Sequence, residues 1–534
     1  MALLAASTYP ELLGAAVREA ADRVFLRCAS ERTAPDALDE VTFDQLWRRS
    51  RRVAAGLLAR GIRPGERIAV AAPNQAEWLE LFFGAASIGA VLVTLNVRYR
   101  ESELDYMLNQ AEVRLLVTAA RAGDMDFEAF YPGFRSRVPS LEHVLYLGGT
   151  GDGERFGDLP GDPADPGELD RLAGRVRSAD PAVILYTSGT TGRPKGAVLT
   201  HGSLIAAASG QAKRLGTGPD DVCFSAMPLN HVGGITCSMT SALVGGSQVV
   251  LAPMFSPASA LDAVERYRAT MFGGVPTMYT LTLGHGSFPD RDTTSVRLAM
   301  VGGANADPTL CAAILKGFPN ARLFNLYGLS EVSGACVMSQ GDDDVDTVAR
   351  TLGTPLDGMG ARVVDLEGRD VPDGEEGELL VRTDGAAAGY WELPEASAEV
   401  FLGDGWVATG DIVVADPDGH LTIKGRRKEM FLQGGYNVYP VEVENVLTAH
   451  PGVAMAAGIG VPDPVLGEIG RYYVLAKPGH RLTADELTAF CKERLANYKL
   501  PRQYEFVDEL PTTPSGKVAK AQLKAQLKEQ LNPS

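Results

Sequence analysis

Residues 186–196 read Tyr-Thr-Ser-Gly-Thr-Thr-Gly-Arg-Pro-Lys-Gly, directly after the apolar run Ala182-Val183-Ile184-Leu185. The apolar run predicts a buried strand. Downstream of that strand, Gly189, Gly192 and Gly196 let backbone N–H groups approach an anion closely and supply positive φ where it is needed. The hydroxyls of Thr187, Ser188, Thr190 and Thr191 add donors, and Lys195 adds a mobile point charge suited to phosphate. A strand running into this segment reads as a polyphosphate-gripping loop. It is not a Walker segment, which needs G-x-x-x-x-G-K-[ST], because the residue five after Gly189 is Pro194. Nor does a G-x-G-x-x-G follow a strand. The stretch Gly148-Gly149-Thr150-Gly151-Asp152-Gly153 misses that spacing and reads as linker.

On either side of the loop, helical and strand patterns alternate, which predicts an α/β architecture. Phe43–Arg60 places Leu46, Val53 and Leu57 on one face with arginines opposite. Arg67–Ala71 reads as a strand, Pro73-Asn74 as a turn, Ala76–Ile88 as a helix and Ala90–Thr94 as a strand, giving a β-α-β unit. The same alternation recurs around 182–215, 221–252 and 297–327. From about residue 360 the texture changes to Gly- and Asp-rich turns between short β-rich runs such as Gly377–Arg382 and His420–Lys424. A boundary is expected near Gly425. Beyond it come a helix (Val441–Ala449), strands near 453–460 and 472–477, a helix (Thr483–Leu495) and a basic tail helix (Ala519–Leu531).

Bulk properties bound the function. The chain has 534 residues, too many for one hydrophobic core, so two or more domains are expected. Apolar content of 45% and charged content of 22% are those of a soluble globular protein. A net charge of −17 without a basic block argues against nucleic acid as a partner. Cys28, Cys223, Cys237, Cys311, Cys336 and Cys491 are scattered without a C-x-x-C pair, which fits reduced cytosolic thiols. Neither a signal-peptide pattern nor a stretch long enough to span a bilayer is present, since the apolar segment Leu81–Leu95 is too short. A cytoplasmic enzyme is therefore expected.

Four further segments carry chemistry. In Asn325-Leu326-Tyr327-Gly328-Leu329-Ser330-Glu331, a tyrosine beside glycine can offer its ring to a purine, and Glu331 can hold Mg²⁺. Val301-Gly302-Gly303-Ala304 follows the strand Arg297–Met300 and could present bare backbone to adenine or an acyl chain. Thr409-Gly410-Asp411 supplies a carboxylate suited to two vicinal hydroxyls, with Arg426 fifteen residues later. Pro511-Thr512-Thr513-Pro514-Ser515-Gly516-Lys517 places a lysine on a loop, able to reach developing negative charge. The acidic run Asp342–Asp346 lacks the glycine and closing glutamate of a calcium loop and reads as a solvated loop.

Taken in order, these segments resemble the adenylate-forming (ANL) superfamily, of the acyl-CoA synthetase or fatty-acid–CoA ligase type. Thr-Ser-Gly-Thr-Thr-Gly-x-Pro-Lys-Gly at 187–196 is similar to its phosphate loop, and Tyr327–Glu331 to its Tyr-Gly-x-Thr-Glu motif, with Ser330 replacing threonine. Gly425–Glu429 and Gly434–Glu444 resemble its hinge region, and the resemblance covers about residues 10–525. It implies a large N-terminal domain of α/β lobes plus a small β-barrel (1–424), hinged near Lys428 to a small C-terminal α+β domain (425–534). It also implies ATP, Mg²⁺ and coenzyme A as cofactors. Asn325, Leu326, Tyr327, Gly302, Gly303 and Ala304 would line the adenine site, Ser330 would meet the α-phosphate, and Glu331 with Thr187 the metal. Asp411 and Arg426 would hold the ribose. Gly434 and Gly435 would border the pantetheine of CoA, and Lys195 and Lys517 would stabilise the transition state. The implied reaction makes acyl-AMP and pyrophosphate, then turns the small domain about Lys428 to bring in the thiol.

The acid is read from a neighbouring segment. Pro228–Gly234 contains no carboxylate where amino-acid-activating relatives carry an aspartate, and Gly233 stands where many aryl ligases have an aromatic residue. His231, Gly233, Gly302, Gly328 and Leu329 would line a pocket for a medium- or long-chain fatty acid or an alicyclic acid. An acyl-AMP ligase loading a carrier protein and an aryl-CoA ligase are the alternatives. A non-catalytic nucleotide-binding relative is disfavoured because Glu331, Asp411 and Lys517 are intact. The implied partners are a small carboxylic acid, ATP and CoA; a homodimer is allowed.

Overall fold

A computed structural model describes the chain except for residues 1–2, 35–36, 123–124, 150, 164, 188–192, 305, 513–517 and 532–534. The expected α/β alternation is realised as two large sheets in the N-terminal part. One, nine-stranded among the described residues, has a central run of parallel strands: Arg322–Leu329, Leu298–Gly302, Met271–Gly274, Val222–Ser225, Gln248–Leu251 and Val24–Cys28. Antiparallel strands close both edges, Gly334–Met338 with Thr354–Pro355 on one side and Asp39–Thr42 on the other. The second sheet, six-stranded among the described residues, runs Lys195–Thr200, Pro181–Thr187, Val91–Thr94, Arg67–Ala71, Leu115–Ala119, His143–Leu147. Only its Lys195–Thr200 edge is antiparallel.

Local chemistry explains the elements. The helix Phe43–Ala59 opens with a reciprocal capping box: Thr42 Oγ1 accepts from the Gln45 amide at 3.1 Å, and Gln45 Oε1 accepts from the Thr42 amide at 2.9 Å. Its Leu46, Val53 and Leu57 are fully buried, as the helical spacing predicts. The next helix, Ala76–Ser87, is buried on every face, so the apolar stretch at 81–95 is an interior helix followed by the strand Val91–Thr94. No helix among the described residues is long and apolar enough to cross a membrane. The acidic run is more ordered than expected: Asp344 caps the short helix Val345–Arg350, accepting from the Thr347 amide at 2.8 Å.

The chain divides into two compact units. The first comprises Met1–Ser188, Pro194–Ala361 and Val381–Ala408; the second takes in Arg362–Leu380 and Thr409–Ser534. The expected boundary at Gly425 falls inside the second. Most residues of a five-stranded sheet belong to the second unit; its described pairings follow an open path, Gly360–Val364, Glu376–Arg382, Trp406–Ala415, Phe401–Gly403, with Leu421–Arg426 on Trp406–Ala415. The C-terminal α+β part has its own core, where Phe431, Val443, Leu447, Tyr472 and Leu487 pack between the long hairpin Val453–Asp463/Gly467–Ala476 and the helices Pro440–Thr448 and Ala484–Lys492.

One buried base in the first unit makes stability depend on pH. His201 begins the helix His201–Leu215, is fully buried, and accepts the Tyr9 amide at Nδ1 over 3.3 Å. Burial lowers its pKa to about 4. An unfolded histidine titrates near 6.5, so protonation favours the unfolded chain as pH falls through 6.5 towards 4. The stabilisation is complete above about pH 6.5, and roughly 3 kcal/mol is lost by pH 4. Urea midpoints measured from pH 7.5 to 4.5 should therefore fall more steeply for the wild type than for His201→Gln. Parallel pH profiles would contradict this assignment.

Candidate active site

The strands that flank the expected phosphate loop pair antiparallel. Thr187 ends one strand opposite Lys195, which begins the next, and Tyr186 faces Gly196. Ser188, Gly189, Thr190, Thr191 and Gly192 lie outside the described residues. The stems are held firmly. Thr187 Oγ1 donates to the Lys195 carbonyl over 3.4 Å, and the buried Tyr186 hydroxyl donates to the Met107 carbonyl at 3.2 Å and to Gln110. Gly196 is required by packing, because a Cβ there would sit 2.8 Å from Ile184 and 3.3 Å from the Tyr186 ring.

The two glycine-containing segments after strands end side by side. In parallel register, Val301 is beside Asn325 and Gly302 beside Leu326. Gly303 follows with φ +77°, exposed like Ala304. Geometry gives two of these glycines structural reasons that the motif reading did not contain. A Cβ on Gly302 would lie 2.7 Å from the Leu326 carbonyl oxygen, and one on Gly328 only 2.0 Å from that of Gly334. Asn325 is buried, its amide N–H on Ser339 Oγ at 3.0 Å and its Nδ2 donating to the Thr351 carbonyl at 2.7 Å. Its side-chain donor thus serves the segment beyond the sheet edge. Leu326, Tyr327 and Leu329 are half-buried, and Ser330 is buried at the start of the turn that carries Glu331.

Glu331 meets a residue that the sequence reading missed. Tyr390 donates its hydroxyl to Glu331 Oε1 at 2.7 Å, while Lys195 Nζ stands 5.0 Å from the centre of the Tyr390 ring. Two residues distant in sequence, one suited to phosphate and one to metal, are thereby brought to one side chain. The donor set fits Mg²⁺. A half-buried carboxylate with a nearby hydroxyl suits a cation that takes one or two carboxylates and completes its shell with phosphate oxygens and water. Among the described residues there is no group of three or more His, Cys, Asp or Glu that could hold a metal ion.

The expected acyl segment follows the strand Val222–Ser225. His231 caps the turn Val232–Gly234, its Nδ1 accepting the Gly233 amide at 3.0 Å. In the neutral ring the proton therefore resides on Nε2. A π-helical turn, Ile235–Thr240, continues from it, with Ser238 Oγ donating to the Gly233 carbonyl at 2.8 Å. Thr236, in this turn, lies against Gly334, the partner of Leu329 in the sheet.

In the second unit, Asp411 and Arg426 are opposite each other on paired strands, with Arg426 Nε 2.8 Å from Asp411 Oδ1. The carboxylate is buried and the guanidinium half-exposed. Sequence reasoning also missed what holds this pair. Glu378 accepts the Gly410 amide at 3.1 Å and Arg427 Nη1 at 2.5 Å, so one buried carboxylate fixes the turn before Asp411 and the residue after Arg426. The only signal was the Gly-Glu pair opening a strand, a feature shared by many turns. Gly434 and Gly435, with φ +63° and +86°, form the exposed two-residue turn between Phe431–Gln433 and Tyr436–Val438. Lys428 is exposed. Lys517 lies outside the described residues; three positions on, Lys520 is bound by Glu429 at 2.6 Å and Glu444 at 2.8 Å.

Known proteins resemble this chain over most of its length. Residues 15–391 match the family model described as AMP-binding enzyme, and residues 442–517 match that of the AMP-binding enzyme C-terminal domain. A feruloyl-CoA synthase from an Amycolatopsis species is 36% identical over 91% of this chain and 93% of its own. A 3-[(3aS,4S,7aS)-7a-methyl-1,5-dioxo-octahydro-1H-inden-4-yl]propanoyl:CoA ligase from Mycobacterium tuberculosis is 34% identical over 97% of this chain and 98% of its own. Among solved structures, an anthranilate CoA ligase in complex with anthranoyl-AMP superposes with a TM-score of 0.85, at 29% identity, over 97% of each chain.

Proposed function

The chain belongs to the AMP-binding enzyme family, and from that premise we propose that it joins a ring-bearing, three-carbon carboxylic acid to coenzyme A. It is an AMP-forming acid–thiol ligase that uses ATP, Mg²⁺ and CoA. The observation that carries the choice of acid is chemical. Two relatives matched over nine-tenths or more of the chain act on acyl groups that differ in the ring, one aromatic and one a fused alicycle, yet share the three-carbon arm. The absence of a carboxylate from Pro228–Gly234 supports an acid without an amine, and the small Gly233 supports a bulky ring. This narrows the sequence-based expectation to its alicyclic side and extends it to aryl propanoates and propenoates.

In this reading Asn325 and Tyr327 face the adenine, Asp411 and Arg426 take the ribose hydroxyls, Lys195 and Ser330 hold phosphate oxygens, and Lys517 meets the charge that builds up as the acid attacks. Glu331 would hold Mg²⁺, which would supply neutralisation of phosphate charge. Lys428 is the pivot after which the CoA thiol takes the acyl group, near Gly434 and Gly435.

A panel of acids in ATP–pyrophosphate exchange tests the substrate class. Ring-bearing propanoates and propenoates should exceed octanoate and benzoate in kcat/KM by at least about tenfold, the worth of one or two well-filled ring contacts. Exchange supported by benzoates alone, or best with unbranched fatty acids, would overturn this choice. Turnover with a carrier-protein thiol but not with CoA would overturn the acceptor.

A further inference from the structure

We infer that Tyr390 is a positioning residue that sets, through one side chain, both the Glu331 carboxylate offered to the metal and the Lys195 ammonium offered to phosphate. The side chain is itself buried and fixed from several directions. Its segment forms a short ladder on the strand that Lys195 begins: Ala388 N–H donates to the Val198 carbonyl at 2.8 Å, Val198 N–H to Gly389 at 2.9 Å and Trp391 N–H to Gly196 at 2.7 Å. The Tyr390 amide donates to Ser397 Oγ at 2.8 Å, and its ring meets Phe401 edge-on with centroids 5.5 Å apart. From this rigid base the hydroxyl reaches Glu331 Oε1 at 2.7 Å and the ring lies 5.0 Å from Lys195 Nζ.

The two contacts do different work. A hydrogen bond to an ionised oxygen orients that carboxylate and is among the stronger polar contacts. With one oxygen engaged by a fixed donor, the carboxylate keeps one rotation relative to its neighbours, and a metal need not order it on binding. The ring face attracts the lysine ammonium without neutralising it, so the ammonium keeps its full charge for a phosphate oxygen. Direct pairing of Lys195 with Glu331 would instead cancel the charges that nucleotide and metal need. The Glu331 backbone is tied to the same segment, since its carbonyl accepts the Ala387 amide at 2.9 Å.

The inference rests on the nucleotide-binding reading above, and its test separates the two. Mg²⁺ is titrated at fixed ATP while binding is followed by calorimetry and by the shift in melting temperature, on the full-length chain. Y390F keeps the ring and loses the hydroxyl. It should raise the Mg²⁺ concentration at half-saturation about tenfold, leave ATP affinity in EDTA within about twofold, and keep the melting temperature of the free protein within about 2 °C. Y390L, which also removes the ring, should weaken ATP binding in EDTA several-fold. E331Q should shift the Mg²⁺ half-point by itself, and adding Y390F to it should give little further shift, the non-additivity expected of partners. An unchanged half-point in Y390F, equal losses with and without Mg²⁺, additive effects with E331Q, or a Y390F chain that does not fold would each overturn the assignment. A wild-type chain that binds no MgATP would instead sink the nucleotide reading, and this inference with it.

Discussion

Replacing Lys517 with alanine is expected to slow acid-dependent pyrophosphate exchange by at least about a hundredfold, while thioester formation from supplied acyl-AMP stays within about threefold. The asymmetry follows from charge. When a carboxylate attacks the α-phosphate, negative charge gathers on the attacking oxygen, the phosphoryl oxygens and the departing pyrophosphate at once. A cation placed for that moment stabilises the transition state more than the ground state, and removing one such fixed group costs two to three powers of ten. Thiol attack on the mixed anhydride releases AMP from a carbonyl carbon and makes no such demand. Measuring the half-reactions separately, with purified acyl-AMP for the second, checks the division. Equal losses in both would contradict it.

Gly328→Ala is expected to be the most damaging substitution in the nucleotide motif, and to act through the fold. The added Cβ would stand 2.0 Å from the Gly334 carbonyl oxygen and 2.6 Å from its carbon. Both are backbone atoms of the adjoining strand, where the register already shifts between Tyr327 and Gly328. No side chain can rotate away, so the strands must separate. Forced overpacking of this kind costs upwards of about 3 kcal/mol. Thermal unfolding should show a loss of several degrees or insoluble protein. Gly303→Ala is the control, since its φ of +77° is strained for alanine but its nearest neighbour would be 3.4 Å away; about 1 kcal/mol is expected there. A Gly328→Ala protein that melts like the wild type but binds ATP weakly would return this glycine to a direct ligand role.

These two residues show what was legible in the chain. Periodicity and capping are local, so the helix at Phe43–Ala59, the strand Arg67–Ala71 and the C-terminal helices appear within a few residues of where they were expected. The segment at 186–196 stands out because glycine, hydroxyl and lysine are concentrated in one stretch. Tyr390 and Glu378 did not, because their partners lie 59 and 32 positions away and no composition marks them. Glycine was legible as a need but not as a reason. Gly302 and Gly328 are expected to border a ligand, and at both positions the neighbouring carbonyl oxygens also leave no room for a side chain. Gly434 and Gly435 likewise serve the turn of a tight hairpin.

The choice of acid was the least legible feature, and the physical reason is plain. The residues proposed to meet the acid, His231, Gly233, Gly302, Gly328 and Leu329, come from separate segments, and each segment contributes small or apolar residues without a distinctive pattern. Charge chemistry leaves a signature in sequence; shape does not.

In the proposed reaction the acid is activated as an adenylate before any thiol takes part. Acid-dependent exchange of labelled pyrophosphate into ATP, measured with Mg²⁺ and a ring-bearing propanoate in the complete absence of CoA, addresses it most directly. Exchange should require the acid and Mg²⁺ and proceed without CoA, with AMP and the thioester appearing once CoA is added. Release of ADP and phosphate, or exchange that appears only in the presence of CoA, would contradict it.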